Sequence, residues 1–379
     1  TNLEKYGTIN VLTKDADKRR IKQFNLFYAN FERFSTKVVP AFNVADFKGK
    51  CNKTEYKWCC VRCNEYFNRM FLPYLHPWPK CPKCDCAFTD IEEQVKEFLQ
   101  KHNIESKFHY RKIITGFELD FFIPKIQLAI ETNGLFYHTE WFFPDKNYHK
   151  NKTNLCTQKN IKLIQIFSDE LNLIPKATFG RLKSILGLNR KLNGRSCNIE
   201  PISAKISCNF LNKYHTQGAD KSSIRYGLFY KNRLVSVMTF CKLRKILGQT
   251  SAEGSWELSR FVCMYGFSVR GGFQKLLKRF VKDNCPLSLI SYCDKRWTPD
   301  PTQSVYATAG FKYIHTSEPN YWYAGKSQKR QHRANFQKHM LLKKYPHFNK
   351  DLSEKQIMKE LGYSRIWDCG HHKFQITFN

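Results

Sequence analysis

The sequence predicts a multi-domain α/β protein, and three observations carry that prediction. Residues 88–190 run helix, strand, strand, helix, strand, each segment with its own apolar period. Two Cys-x-x-Cys pairs, Cys60/Cys63 and Cys81/Cys84, stand ahead of that stretch. Behind it, past a boundary at 186–197 rich in Gly, Asn and basic residues, a hairpin, further buried strands and a glycine-led helix read as a separate α+β domain. The expected division is 1–30, short helical pieces; 31–87, the cysteine-bearing segment and its lead-in; 88–190, the α/β core; 196–325, the α+β domain; and 326–379, a basic helical extension.

The chain has 379 residues, enough for two or three domains that each bury a core. Its 63 basic and 32 acidic side chains leave a formal charge of +31, and aromatic residues make up 15%. So large an excess repels itself and implies a polyanionic partner. Interleaved Phe and Tyr favour nucleic acid over a bare membrane surface, because rings stack on bases or wedge between them. No apolar run approaches the roughly 20 residues of a membrane span, and no signal-peptide pattern is present. Fifteen cysteines, an odd number, fit a reducing cytosol and a metal site better than disulfides. The chain begins at Thr1 without Met, as a fragment or processed product would.

Residues 1–30 read as helical pieces broken at Gly7. In 31–87, two tight thiolate turns joined by a short hairpin predict a zinc ribbon: Cys60, Cys63, Cys81 and Cys84 around a tetrahedral Zn²⁺ that has no open position and is therefore structural. Cys59 and Cys86 permit another register. Arg62, Arg69, Lys80 and Lys83 would be presented to phosphates. A helix follows over TDIEEQVKEFLQKHN, with Thr89 as N-cap, Glu92 completing a capping box, and Ile91, Val95, Phe98 and Leu99 inward.

The central stretch is FELDFFIPKIQLAIETNGLFYHTE, 117–140. Phe117, Leu119 and Phe121 alternate with Glu118, Asp120 and Phe122, Pro124-Lys125 turn the chain, and Ile126–Ile130 deliver Glu131. Adjacent strands bearing Asp120 and Glu131 can hold Mg²⁺, which takes few protein oxygens and keeps waters that a phosphate can displace. His138 can accept a proton from water near neutral pH. Taken alone, the pattern also fits a hairpin with solvated acids; the apolar run before Glu131 argues against that. A helix over KTNLCTQKN and a buried strand over 161–167 complete the core.

In the α+β part, Tyr226–Phe240 reads as a hairpin turning at Lys231-Asn232. Strands follow over 256–264 and LSLISYCD, with a helix opening at Gly271-Gly272 between them. The amides of Val269, Gly271 and Gly272 could hold a phosphate, with Arg270 on DNA, or the glycines could serve close packing. Asp294, Arg296 and Trp297 are further site candidates. The basic run 326–345 is expected as a phosphate-contacting helix carrying Lys329, Arg330, Arg333 and Lys338. In the tail, Ser353 caps a helix that stops at Gly362.

LDFFIPKIQLAIETNGLFYH resembles, without gaps, the core of the very-short-patch repair (Vsr) endonucleases, and more closely the Vsr-like nuclease domain of phage homing endonucleases, in which a Glu, Asp, His, Asp set recurs. The resemblance implies a restriction-endonuclease-like (Vsr-like) core for 88–190. It also implies hydrolysis of double-stranded DNA with Mg²⁺ in the cytoplasm of a host cell. Asp120 would be a metal ligand, His138 a general acid or base, Glu92 and Asp145 the outer acids of the set, Thr132 a carbonyl ligand and Glu131 the second acid. The Lys that this fold often carries two residues after that acid is Asn133 here. Leu3-Glu4-Lys5-Tyr6-Gly7 with Asn10 resembles a small DNA-contacting repeat of phage homing enzymes. The turn Val269–Phe273 and the order of elements resemble the GNAT acyltransferases, Mom-type DNA-modification proteins and the C-terminal domain of many phage homing endonucleases. That likeness implies a GNAT-like α+β domain. The expected function is a homing-type, site-specific endonuclease. The alternative is a Mom-like acyltransferase using acetyl-coenzyme A, with the nuclease-like core as scaffold.

Overall fold

A computed structural model describes residues 18, 21–22, 24–25, 38–47, 54–60, 63–70, 81–82, 89–243, 253–325 and 329–378. The chain divides into two compact units, Thr1–Glu93 and Gln94–Asn379. The repeat-like segment at 3–10 lies outside the described residues, as do Cys84, Cys86, Arg62, Lys80 and Lys83.

In the first unit, β1 (Val38–Pro40), β2 (Glu55–Cys60) and β3 (Tyr66–Met70) form an antiparallel sheet in that order. Alternation in β2 turns Tyr56, Trp58 and Cys60 inward, where they meet Phe24, Val38, Phe47, Phe67 and Cys81. Asn64 adopts a left-handed φ of 54°, and the turn closes with Asn64 N donating to Cys60 O and Cys60 N to Glu65 O, each at 2.9 Å. Helix α1 (Asp90–Lys101) begins with the expected capping box: Glu92 N donates to Thr89 Oγ1 and Thr89 N donates to the Glu92 carboxylate.

The second unit opens with a four-stranded sheet of order β4 (Lys107–Tyr110), β5 (Leu119–Ile123), β6 (Leu128–Asn133), β7 (Lys162–Phe167). Pro124, which has no N–H, ends β5, and a short 3₁₀ turn (Pro124–Ile126) replaces the expected start of the second strand at Ile126. Pairing is antiparallel as far as β6. It is parallel between β6 and β7, which helix α2 (Tyr148–Gln158) joins. Every residue of β5 and β6 is buried. Helices α3 (Ser168–Leu173) and α4 (Pro175–Ile185) follow, and Phe98 of α1 stacks on Phe179 of α4 at 4.8 Å.

A seven-stranded sheet comes next. Its members are β9 (Asn198–Pro201), β10 (Ile224–Tyr230), β11 (Arg233–Lys242), β12 (Ser255–Cys263), β14 (Ser288–Asp294), β15 (Lys312–Thr316) and β19 (His371–Thr377), in spatial order β15-β19-β14-β12-β11-β10-β9. The β10–β11 turn falls at Lys231-Asn232, both with positive φ as a two-residue hairpin requires. Helix α5 (Ala204–Tyr214) precedes β10, and α6 (Gly272–Asn284) links the parallel pair β12 and β14. Phe273, Leu276, Leu277 and Phe280 of α6 pack on the sheet, with Phe280 stacked on Phe240 at 3.7 Å. Before α6, β13 (Phe267–Arg270) pairs in parallel with β8 (Arg190–Asn193).

The tail corrects the sequence reading. Instead of a helical extension, 326–379 supplies β19 to the large sheet, between the edge strand β15 and β14, and β17 (Gln331–His332) and β18 (Ser364–Trp367) to a small one with β16 (Tyr321–Ala324). The basic run is likewise no continuous helix: β17, a 3₁₀ turn (Arg333–Phe336) and a short helix (Lys338–Lys344) follow one another. Helix Glu354–Glu360 does begin at Ser353 with a capping box and ends before Gly362, φ 81°. Among the described residues, no helix is long and apolar enough to cross a membrane.

Candidate active site

Phe121 pairs with Ile130 across β5 and β6, so Asp120 stands opposite Glu131, and opposed side chains of an antiparallel pair share a face. Both carboxylates are buried, at 8% and 7% exposure. Asp120 Oδ2 accepts from Thr132 N at 2.7 Å and from Thr132 Oγ1 at 2.8 Å, which fixes its orientation. Thr132, expected as a carbonyl ligand, thus meets Asp120 through its amide and hydroxyl.

Sequence reasoning missed the cation of this cluster. Lys152 reaches in from α2, 3% exposed, and its Nζ donates to Glu131 Oε1. Asn133, which stands where the resemblance expects a lysine, donates Nδ2 to Gln165 Oε1 at 3.2 Å. A signal existed: His149, Lys152, Thr153 and Cys156 recur at helical spacing, and all four are buried. Burial, and then the facing Asp120 charge, push the Glu131 carboxyl up to about 8, against the pull of Lys152. Burial alone would lower the Lys152 ammonium; the Glu131 and Asp120 carboxylates outweigh it and raise its pKa.

His138 lies beside this group in the loop after β6, its ring stacked on His149 at 5.1 Å and on Phe143 at 5.4 Å. Burial foremost, and then Lys152, lower its pKa to about 4, so the imidazole is neutral at pH 7. His149, to which the sequence reading assigned no role, is held neutral mainly by burial. Gln165 of β7 organises the rear of the site. Its Nε2 donates to His149 O (2.8 Å) and Thr153 Oγ1 (2.6 Å), which leaves Oε1 to accept from Asn133 Nδ2 (3.2 Å) and His149 Nδ1 (2.7 Å). That sets the His149 tautomer with Nε2 bare. Glu131 Oε2, Asn133 Oδ1, His138 Nδ1 and His149 Nε2 are all buried with no hydrogen-bond partner among the described residues. Buried acceptors of this kind are costly unless a donor or cation meets them. The unmatched Glu131 oxygen opposite Asp120 therefore fits a divalent ion bound by carboxylates.

The other expected residues fall elsewhere. Glu92 gives its carboxylate to the capping box. Asp145 is exposed in the turn before α2, where Oδ1 accepts from Asn147 N at 2.9 Å. Arg330, expected on DNA, is instead inward: its Nε donates to Asp169 at 3.0 Å, its guanidinium lies 3.4 Å from Glu170, and it stacks over Phe167 at 4.2 Å. Asp294 and Arg296 belong to the same buried network, Arg296 bonding Glu170 at 2.8 Å and Asp294 at 2.7 Å. Trp297 is buried under Arg181, 4.7 Å from its ring. These groups tie β7 and α3 to the end of β14. Arg270, Lys329 and Arg333 are exposed and Lys338 half-buried, at positions where phosphates could be met.

Gly271 takes φ 72° at the start of α6, a backbone that favours glycine. A side chain at Gly194 would come within 2.7 Å of Arg270 O and 3.1 Å of Gly272 N, and Lys275 Nζ donates to Gly194 O at 3.0 Å. The segment 193–197 therefore lies directly on the loop Val269–Gly272. Close packing is seen at Gly194 and at Gly272, where a side chain would meet Val269 at 2.9 Å and Leu228 at 3.0 Å, but not at Gly271, around which nothing lies within 4 Å among the described residues.

In the first unit, ligand atoms of Cys60, Cys63 and Cys81 lie within 4.8 Å of one another, with Cys63 and Cys81 sulfurs 3.7 Å apart. A tetrahedral zinc with Zn–S of about 2.3 Å spaces its thiolates by roughly 3.8 Å, so the three fit that ion. Cys59 Sγ faces the Cys60 carbonyl at 3.8 Å, outside the cluster.

No protein-family model matches this chain, and no curated protein matches it. Among solved structures, the catalytic domain of homing endonuclease I-Bth0305I is similar at 29% identity and a TM-score of 0.22, covering 27% of this chain and 98% of that one. A Bacillus subtilis acetyltransferase in complex with CoA is similar at 12% identity and a TM-score of 0.27, covering 48% of this chain and 99% of its own. An IAA acetyltransferase from Bacillus cereus gives 13%, 0.27, 48% and 100% for the same measures. The structural neighbours thus include an endonuclease domain and acetyltransferases.

Proposed function

We propose that the protein is a metal-dependent, site-specific DNA endonuclease of the homing type. The observation that carries this reading is the buried Asp120–Glu131 pair with the Lys152 ammonium against it, in a chain of charge +31. Asp120 and Glu131 would hold Mg²⁺, which when bound polarises a phosphoryl oxygen and neutralises charge on the phosphate. Thr132 keeps Asp120 aimed by two hydrogen bonds. Neutral His138 takes a proton from the attacking water; the water oxygen bonds to phosphorus, the bond to the leaving oxygen breaks, that oxygen takes a proton from solvent, and His138 returns its own to solvent. Lys152 offers a fixed positive charge to the phosphate as its negative charge grows. Zinc on Cys60, Cys63, Cys81 and Cys84 would be structural. The exposed Arg270, Lys329 and Arg333 would contribute sequence-independent attraction to DNA. The test is Mg²⁺-dependent cleavage of supercoiled DNA that EDTA and Asp120→Ala both abolish.

A second reading, an acyltransferase acting on nucleic acid, draws on the left-handed Gly271 at the start of α6. Against it stands the segment 193–197 packed on that loop. Saturable acetyl-coenzyme A binding in calorimetry would favour it.

A further inference from the structure

The loop that carries His138 is fastened to the C-terminal part of the chain. Thr139 bridges to Ile366, Glu140 N donates to Arg365 O at 2.8 Å, and Trp367 Nε1 donates to Glu140 Oε1 at 2.9 Å. Lys355 pairs with the second Glu140 oxygen at 2.7 Å. Between this loop and the strand Ser364–Trp367 lies a cavity of about 240 Å³, lined by Trp141 and Tyr363 and by Lys355, Lys359 and Arg365. Three cations face one carboxylate, Glu140, which Lys355 already pairs. Arg365 lies over the Tyr321 ring at 4.3 Å, and its Nε is buried with no partner among the described residues.

Rings and cations in one cavity match a ligand with a flat π-face and an anionic group. The volume is below the roughly 300–1,000 Å³ typical of sites for drug-sized ligands, so it suits a single unit and not a stacked run. Within a paired duplex both faces of a base are covered by its neighbours; only a base outside the stack offers a face to a side chain. We propose that this cavity holds one unstacked nucleotide of the DNA, its base against Trp141 and Tyr363 and its phosphate on Lys359 and Arg365. The choice of DNA as the polymer rests on the endonuclease reading. The cavity wall begins two residues after His138, so filling it fixes the loop that bears the candidate base.

The test uses the full chain without added Mg²⁺, where the endonuclease reading expects no cleavage, and fluorescence anisotropy. Two duplexes of the same sequence are compared, one fully paired and one with a single bulged nucleotide. Stacking of one base predicts about tenfold tighter binding of the bulged duplex. Lys359→Ala and Trp141→Ala should each cut that ratio to below about threefold, with the paired duplex bound within about threefold of the original affinity. Lys359 is exposed and Trp141 is 44% exposed, so neither change threatens the fold. Equal affinity for the two duplexes, or a ratio that survives both substitutions, overturns the proposal. A protein that prefers the bulge through these residues yet never cleaves would keep the cavity and lose the endonuclease; cleavage without the preference would do the reverse.

Discussion

Replacing Lys152 by methionine keeps most of the side chain's volume and removes the cation from the carboxylate pair. Breaking a fully charged buried pair costs about 3–5 kcal/mol. The expected loss here is smaller, about 1–3 kcal/mol at pH 7, the cost of an unmade buried hydrogen bond. Glu131, with its pKa near 8, can meet the change by holding a proton. The pH dependence follows from the same shift. Because the folded-state pKa of Glu131 is raised, the associated stability is full below the unfolded value and is lost as pH rises through about 8. Without Lys152 the folded pKa climbs further, so the loss continues to higher pH and the gap between the two proteins widens above pH 8. Urea unfolding at pH 6, 7 and 9 reads this directly. In single-turnover cleavage at saturating Mg²⁺, the variant should lose about 10²–10³ in rate, the effect of removing one preorganised charge stabiliser. A rate within about threefold of the original, or a stability gap that narrows above pH 8, would refute the placement of Lys152 in the site.

Other consequences can be tested alongside. Binding of Ca²⁺ or Mg²⁺ at pH 6.5 should release close to one proton per ion, because the ion displaces the proton on Glu131; calorimetry in buffers of different ionisation enthalpy measures it, and Glu131→Gln should remove it. Cys60→Ser should release zinc and loosen residues 51–90 to proteolysis, and unchanged zinc content on purification would contradict the cluster. Arg296→Met leaves Asp294 and Glu170 short of a cation and should cost about 3–5 kcal/mol in urea unfolding at pH 7. Arg296 and its neighbours outweigh burial and hold the Asp294 carboxyl below its ordinary range, so this contribution is present above the unfolded pKa and shrinks as pH falls through the folded value.

What the sequence disclosed, and what it hid, follows the range of the interactions. The Thr89–Glu92 capping box, the Lys231-Asn232 turn and the strands of Asp120 and Glu131 are set by neighbours a few positions apart, and all could be read. Lys152 could not be placed by type, since a lysine inside a basic chain is ordinarily solvated; only its spacing from His149 and Cys156 marked it as inward. Arg330 stood in a charge run that read as a DNA-facing helix, but its partner Asp169 is 161 positions away. The strand His371–Thr377 was hidden for the same reason: it gains its partners at 288–294 and 312–316 only when the sheet assembles.

The central claim is tested most directly by incubating supercoiled DNA with the protein in Mg²⁺, in EDTA, and with Asp120→Ala in Mg²⁺. Conversion to nicked or linear product that requires Mg²⁺ and disappears with Asp120 is the expected result. Undiminished conversion by Asp120→Ala, or no conversion of diverse DNA by the intact chain under any divalent metal, would contradict it.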